Sequence, residues 1–327
     1  VTESFQDKPR LLVKVSTLYY ADGLNQQQIA ERLGISRPQI SRMLAAAKAE
    51  GIVQITIRNP FSEEQVYERA ISEVFGLRDV LVVQVPDADQ DQQLIDLHVA
   101  REAASFLEGV IRDRDIVGVM AGRTIASVGG ALHYSVKKDV KFVPLVGGWG
   151  AEGASWHANS NTRLFAERLK ARYLLLNAPA IVASRQTRDL FVREPEIADV
   201  LNCAKQATIA LVGIGQVSRK ATIVESGYFD RQNIEDVRAL GALSNICTSF
   251  LDANGRDVPH EAALRMIGIS VAELRRIPNV IAVASGRDKT EAIVSALRGS
   301  CIHALVTDMA TARRLLDWHR SHPHIDK

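Results

Sequence analysis

Gly34 splits residues 26–44 into two short amphipathic segments, and no other stretch limits so closely what this chain can fold into. Asn25 with Gln28 three places on forms a capping box for the first segment, whose inward residues are Ile29, Ala30 and Leu33. Gly34 supplies the permissive backbone of a tight turn. Ile35 then tucks inward, Ser36 caps the next segment, and Pro38 falls in its first turn, where a missing N–H costs little. Ile40, Met43, Leu44 and Ala47 face in, while upstream Leu11, Leu12, Val15, Leu18 and Tyr19 recur at helical spacing until Gly23. Three helices with this turn read as a helix-turn-helix.

On the third helix, Arg37, Gln39, Ser41 and Arg42 lie on or beside the outward face, where such a helix makes base-edge contacts in the major groove. Arginine can bond bidentately to guanine and glutamine to adenine, while Ser41 and Lys48 suit phosphate or looser contacts. A three-helix structural module with a solvated polar face is the plainer alternative. Ile52, Val53, Ile55 and Ile57 alternate as a short β-wing with Arg58 in reach of a phosphate, and Asn59-Pro60 ends the module. Charge agrees mildly: residues 1–60 hold eight Lys/Arg against five Asp/Glu, in a chain of net charge +2.

The remaining length is enough for a large core without disulfides or metals. Cys203, Cys247 and Cys301 are odd in number and far apart, so they predict reduced thiols, with no metal site and no cofactor. No apolar run reaches membrane-spanning length and the N-terminus lacks a signal-peptide core, so a cytoplasmic location without membrane contact is expected.

Residues 62–75 form one amphipathic helix with Val66, Ala70, Ile71 and Val74 on one side, either a connector or subunit contact or a helix packed on its own domain. From Asp79 the pattern alternates. Strands are expected at 80–85, 116–120, 142–146, 173–176, 208–212, 246–251, 280–284 and 302–307, with helices at 90–108 and 124–132 and helical stretches between most of the others. This predicts an α/β Rossmann-like domain with a mostly parallel sheet covered on both faces. The domains are therefore expected at 1–60, 61–78 (connector helix) and 79–327.

Ligands of such sheets bind beyond the carboxyl ends of the strands. Gly122-Arg123-Thr124 follows a strand and opens a helix whose N–H groups can hold a phosphate. Gly147-Gly148-Trp149-Gly150 and Gly213-Ile214-Gly215 follow two more strands, and Ser285-Gly286-Arg287-Asp288-Lys289 adds a cation at another helix start. Each loop alone is weak, because α/β turns use glycine for steric reasons. Asp252 follows the 246–251 strand and can accept sugar hydroxyls, though Asp-Ala-Asn-Gly is also a good turn by itself.

Leu11–Tyr20, Gly23–Arg37 and Glu50–Val53, with Val117–Thr124, Val146-Gly147-Gly148, Ser249–Asp252, Val280–Lys289 and Val306–Ala312, together resemble the SorC family of bacterial transcriptional regulators over nearly the whole chain. The resemblance implies an all-α winged helix-turn-helix domain followed by an effector domain related in fold to sugar-phosphate isomerases and deaminases. It implies a phosphorylated sugar or polyol effector, and homo-oligomers, dimers or tetramers, on double-stranded palindromic operator DNA. By position, Gly122, Arg123 and Thr124 match the family's phosphate-side loop, Asp252 the carboxylate facing the sugar, and Lys289 the basic residue at the ligand. Val146 stands where some relatives carry an effector-binding lysine, which implies a non-covalent effector. No acid–base constellation for the related enzymes' chemistry is visible. The alternatives are an isomerase- or deaminase-like enzyme carrying a DNA-binding domain, and a regulator that takes an unphosphorylated polyol.

Overall fold

The computed structural model describes residues 7–53, 62–85, 91–133, 135–148, 154–218, 221 and 231–323. It divides into two compact units, Val1–Pro60 and Phe61–Lys327.

In the first unit, α1 (Asp7–Ser16) continues into a π-helical turn (Thr17–Ala21), followed by α2 (Gln26–Leu33) and α3 (Arg37–Ala49). Val15, Leu18, Ile29, Ala30, Ile40 and Leu44 bury together, as the apolar spacing requires. The Asn25 side chain accepts from the N–H groups of Gln27 and Gln28 at 3.0 Å, and Gln28 Oε1 accepts the Asn25 N–H at 3.0 Å. Gly34 takes φ +68, a left-handed cap that the side chains of other residues rarely tolerate. Residues 51–53 are not strand, and the expected wing residues Ile55, Ile57 and Arg58 lie outside the described residues.

In the second unit a seven-stranded, all-parallel sheet has the order β1-β10-β9-β5-β2-β3-β4. The strands are β1 (Asp79–Val83), β2 (Ile116–Val119), β3 (Lys141–Pro144), β4 (Arg172–Tyr173), β5 (Ile209–Gly213), β9 (Asn279–Val283) and β10 (Ala304–Asp308). Successive residues point to opposite faces: Ile209 and Leu211 enter one core, Ala210 and Val212 the other, and β9 repeats the pattern. One face is covered by α5 (Gln92–Val110), α6 (Arg123–Ala131) and α7 (Ala158–Arg168). The other is covered by α9 (Pro195–Lys205), α13 (Thr290–Arg298) and α14 (Met309–Ser321), while α8 (Arg185–Phe191) leads into α9 and α10 (Arg231–Ala239), α11 (Glu261–Leu264) and α12 (Val271–Leu274) precede β9. From β2 the chain steps outward to β3 and β4, then returns to β5 and proceeds the other way to β9 and β10. The order therefore reverses between β2 and β5.

A separate antiparallel sheet, β6-β7-β8, comprises Gly215–Gln216, Ala242–Ile246 and Ser249–Asp252. It corrects the expected single strand at 246–251, which is the turn and second arm of a hairpin. Cys247 turns the chain at φ +52 with neither glycine nor asparagine to mark the place.

The helix α4 (Ser62–Phe75) packs on its own unit, against β1 and α14. Ile71 is fully buried, Arg313 pairs with Glu63, and Val66 stays 65% exposed. Glu68 Oε1 accepts the N–H of Val82 at 2.9 Å, so α4 closes a donor on edge strand β1. Burial pushes the Glu68 carboxyl above its ordinary range, against the lowering effect of that hydrogen bond.

The folded state therefore holds the Glu68 proton to higher pH than the unfolded chain does, and stability falls as pH rises from about 4.5 through the raised value. Glu68→Gln keeps an acceptor and removes the charge. Urea unfolding should find it at least as stable as the parent at pH 7, with the difference shrinking towards pH 4. A loss of stability confined to pH 7 would contradict this account.

Candidate functional site

On α3, Ile40, Leu44 and Ala47 are buried, and Pro38, Arg42 and Ala45 lie opposite them on the exposed face. Arg37, Ser41 and Lys48 flank this line and are also exposed. Gln39 also serves the helix start. Its Oε1 accepts from the Ser36 N–H at 2.9 Å and the Ser36 hydroxyl at 2.8 Å, so the side chain is folded back as the helix cap rather than extended toward a base edge. Lys48 lies 5.9 Å from the Tyr20 ring centroid, which steadies it beside the helix.

In the second unit the reversal between β2 and β5 opens the crevice expected at the carboxyl edge of such a sheet. Gly122 ends the β2 segment at φ 130, ψ 151, and Gly286 ends the β9 segment at φ 107, ψ 146. These matching conformations are open essentially to glycine alone, and each turns a strand into a helix start. The Gly122 N–H donates to Trp156 O (2.9 Å) and the Gly286 N–H to Thr311 Oγ1 (2.9 Å), so the glycines themselves are anchored. The helices they open carry no side-chain cap, which leaves first-turn N–H groups directed at the strand ends. Buried Asn161 donates from Nδ2 to the carbonyls of Met120 (3.0 Å) and Gly122 (3.3 Å), clamping the first turn in place.

Arg123 and Lys289, from these two turns, come within electrostatic range of each other. Burial pushes the Lys289 ammonium below its ordinary range, the Asp96 carboxylate opposes that shift, and Arg123 adds to it. Asp96 belongs to α5, whose first turn lies on the second loop: Asp96 Oδ1 accepts from Ser285 Oγ at 2.7 Å and from Gln92 Nε2 at 2.8 Å. Thr124 stands in the first turn of α6, and Gly213, at the end of β5 between the two loops, faces Ile125 of α6. The cluster thus combines two cations, an aligned carboxylate and two uncapped helix starts.

Three expected residues do not join it. Gly147 and Gly148 form a backbone crossing: their N–H groups donate to Ile267 O and Ala178 O, both at 2.9 Å, leaving neither for a phosphate. Asp252 ends a strand of the small sheet, and its Oδ1 accepts from Asn254 N (2.8 Å) and Arg256 N (2.9 Å). Its carbonyl is held by Ser295, in the later part of α13, whereas Lys289 stands just before the start of that helix. Trp149 and Gly150 lie outside the described residues. Asp96, Gln92 and Asn161 carried no sequence signal, since each is a single polar residue within a helix.

A groove of about 760 Å³ borders the other side of the Arg287–Lys289 turn, but Arg238, Arg287 and Arg314 alternate there with Asp288, Glu291 and Asp317, so its charges balance. Among the described residues no three His, Cys, Asp or Glu gather as a metal set, and no helix is long and apolar enough to cross a membrane. Cys247 and Cys301 are buried free thiols pushed up from their ordinary range, Cys301 to about 11, which makes them inert.

A helix-turn-helix unit joined to a parallel α/β unit with a cationic strand-end crevice defines a ligand-responsive DNA-binding protein as a class. Residues 59–317 match the family described as "Putative sugar-binding domain", and residues 13–55 match "Homeodomain-like domain". The deoxyribonucleoside regulator of Bacillus subtilis is 32% identical over 315 residues, covering 95% of this chain and 99% of its own. The sorbitol operon regulator of Klebsiella pneumoniae is 30% identical over 312 residues, 95% and 98% of the two chains. The crystal structure of full-length SorC from K. pneumoniae superposes with a TM-score of 0.73 at 30% identity, covering 95% of this chain and 99% of that one. The chain belongs to the SorC family of transcriptional regulators.

A Cβ on Gly147 would fall 2.6 Å from Pro179 O, whereas one on Gly148 would meet nothing closer than 3.9 Å. Gly147→Ala should therefore cost about 1–3 kcal/mol in urea unfolding, and Gly148→Ala much less. Equal costs at the two positions would remove the backbone-crossing explanation.

Proposed function

We propose that this chain is a DNA-binding transcriptional regulator of carbohydrate or polyol metabolism, controlled by a phosphorylated sugar held non-covalently at the strand-end cluster of its second unit. The observation that carries the reading is the meeting of Arg123 and Lys289 above uncapped helix starts, where a phosphate ester fits by charge and by N–H donation. The names of two relatives, a deoxyribonucleoside regulator and a sorbitol operon regulator, favour a link to sugar or polyol metabolism.

Residues 1–60 serve as the DNA-binding domain and the rest as sensor and oligomerisation domain, working in the cytoplasm as a dimer or tetramer. In α3, Arg42 reads a base edge, Arg37, Ser41 and Lys48 hold the helix on the duplex, and Gln39 shapes its start. Palindromic operators follow from paired subunits, since two recognition helices must match the spacing of two half-sites. Effector binding shifts that spacing to the extent that it favours one subunit arrangement over another. The second unit keeps the binding chemistry of a sugar-phosphate enzyme without turnover: Asp96, the carboxylate acting on Lys289 among the described residues, is held beside two cations.

Anisotropy titration of promoter DNA from the protein's own locus tests the first half. Arg42→Ala should cost about 1–3 kcal/mol and flatten discrimination among operator variants, while Gln39→Ala should leave base preference unchanged. An unaltered preference in Arg42→Ala would refute the assignment. For the second half, thermal shift with sugars and their phosphates should raise the melting temperature only for phosphorylated compounds, and Lys289→Ala should abolish the rise. Turnover of a sugar phosphate would favour the enzyme reading instead.

A further inference from the structure

The two glycine turns that rim the crevice are held in topologically equivalent ways. The Gly122 turn follows β2, and α7, which follows the next strand outward, β3, carries Asn161. The Gly286 turn follows β9, and α14, which follows the next strand outward, β10, carries Thr311. Both side chains are fully buried. Asn161 Nδ2 faces the carbonyls of Met120 (3.0 Å), Gly122 (3.3 Å) and Trp156 (3.4 Å), and Trp156 O in turn accepts the Gly122 N–H at 2.9 Å. Thr311 Oγ1 accepts the Gly286 N–H (2.9 Å) and Arg314 Nη2 (2.9 Å), while the Thr311 N–H is fixed on Asp308 Oδ1 at 2.8 Å. A glycine has no side chain to restrain it, so a turn built on one keeps its direction only through such bonds. The bonds fall where the direction is set: Gly122 O is also the acceptor of the Ala126 N–H (3.0 Å) that starts α6, and Gly286 O receives the Lys289 N–H (3.2 Å) that closes the second turn.

We propose that Asn161 and Thr311 are a matched pair of positioning residues for the effector's phosphate, each fixing one glycine turn so that the uncapped helix start behind it is aimed before the ligand arrives. Closed to solvent, neither side chain touches a ligand in the crevice; both act through the backbone of the turn. A turn ordered in advance spares the ligand the cost of ordering it, so the pair contributes to affinity as well as to folding. The proposal rests on the reading of the strand ends as a phosphate-ester site and adds which buried groups tune it.

A purely structural role and a positioning role predict different results. The full-length protein and its Thr311→Val, Thr311→Ser, Asn161→Ala and Lys289→Ala variants are titrated calorimetrically with inorganic phosphate, ribose 5-phosphate and glucitol 6-phosphate. The titrations are run at a temperature where melting curves show every variant folded. Thr311→Val keeps the shape of the side chain but removes the acceptor, leaving the Gly286 N–H unpaired unless the turn moves. It should weaken every probe the parent binds by about tenfold, as should Asn161→Ala. Thr311→Ser restores the hydroxyl and should bind within about threefold of the parent. A structural role alone would lower the melting temperature and leave the affinity of the folded molecules at the parent's value; that result for Thr311→Val or Asn161→Ala overturns the proposal. Equal loss in Thr311→Ser and Thr311→Val also overturns it, since the hydroxyl would then not be what holds the turn. Should a variant not fold, Thr311→Ala or Asn161→Ser takes its place with the same expected loss. Failure of the underlying reading shows differently: the parent binds none of the three probes, or Lys289→Ala binds them unchanged.

Discussion

The second unit depends on one constraint of parallel sheets: every strand must be reached by a crossover, and the crossovers cannot occupy the same space. After β2, β3 and β4 are laid outward, the chain returns to the open side of β2, where β5 begins the second run. The connections leaving β2 and β5 diverge, and the gap between them is a crevice no side chain had to be selected to create. What the sequence had to supply was chemistry at its rim. Gly122 and Gly286 do this in the same way, each ending a strand segment in a backbone conformation reserved for glycine and each followed by arginine.

The rim is assembled from distant parts of the chain, which explains why it is both rigid and electrostatically poised. Asn161 ties down the Gly122 turn, Thr311 the Gly286 turn, and Ser285 the first turns of α5. Two cations drawn together at the edge of a core repel one another and favour any ligand that brings negative charge. Burial is the main cause of the depressed Lys289 ammonium; the Asp96 carboxylate opposes it and Arg123 adds a smaller push in the same direction as burial. A phosphate relieves the repulsion, and the uncapped helix starts add N–H groups at no further cost in reorganisation.

The helices of the first unit and most strands of the second could be read from the sequence because single periodicities govern them. The 3.6-residue spacing of Ile29, Leu33, Ile40 and Leu44 sets the inward face of the helices, and the short apolar runs alternating with helices favour buried parallel strands. Local polar geometry was less legible. Gln39 satisfies the same spacing as a base reader and as the third residue of a capping box, and only its bond to Ser36 separates the two. Gly147 and Gly148 have the composition of a phosphate loop, yet their glycines serve a backbone crossing. The small antiparallel sheet that carries Asp252 was hidden because its hairpin turn at Cys247 leaves no sequence mark. Asp96 was invisible for the opposite reason, since its partner is far along the chain and its own surroundings look like any helix surface.

Control of DNA binding by this crevice is the central claim, and linkage makes it directly measurable. The affinity of the full-length protein for promoter DNA from its locus is determined with and without a saturating amount of the best phosphate ester, and the affinity for that ester is determined with and without the DNA. The account predicts that both change by the same factor, about 5- to 150-fold. An ester that binds the crevice while leaving DNA affinity unchanged would contradict it.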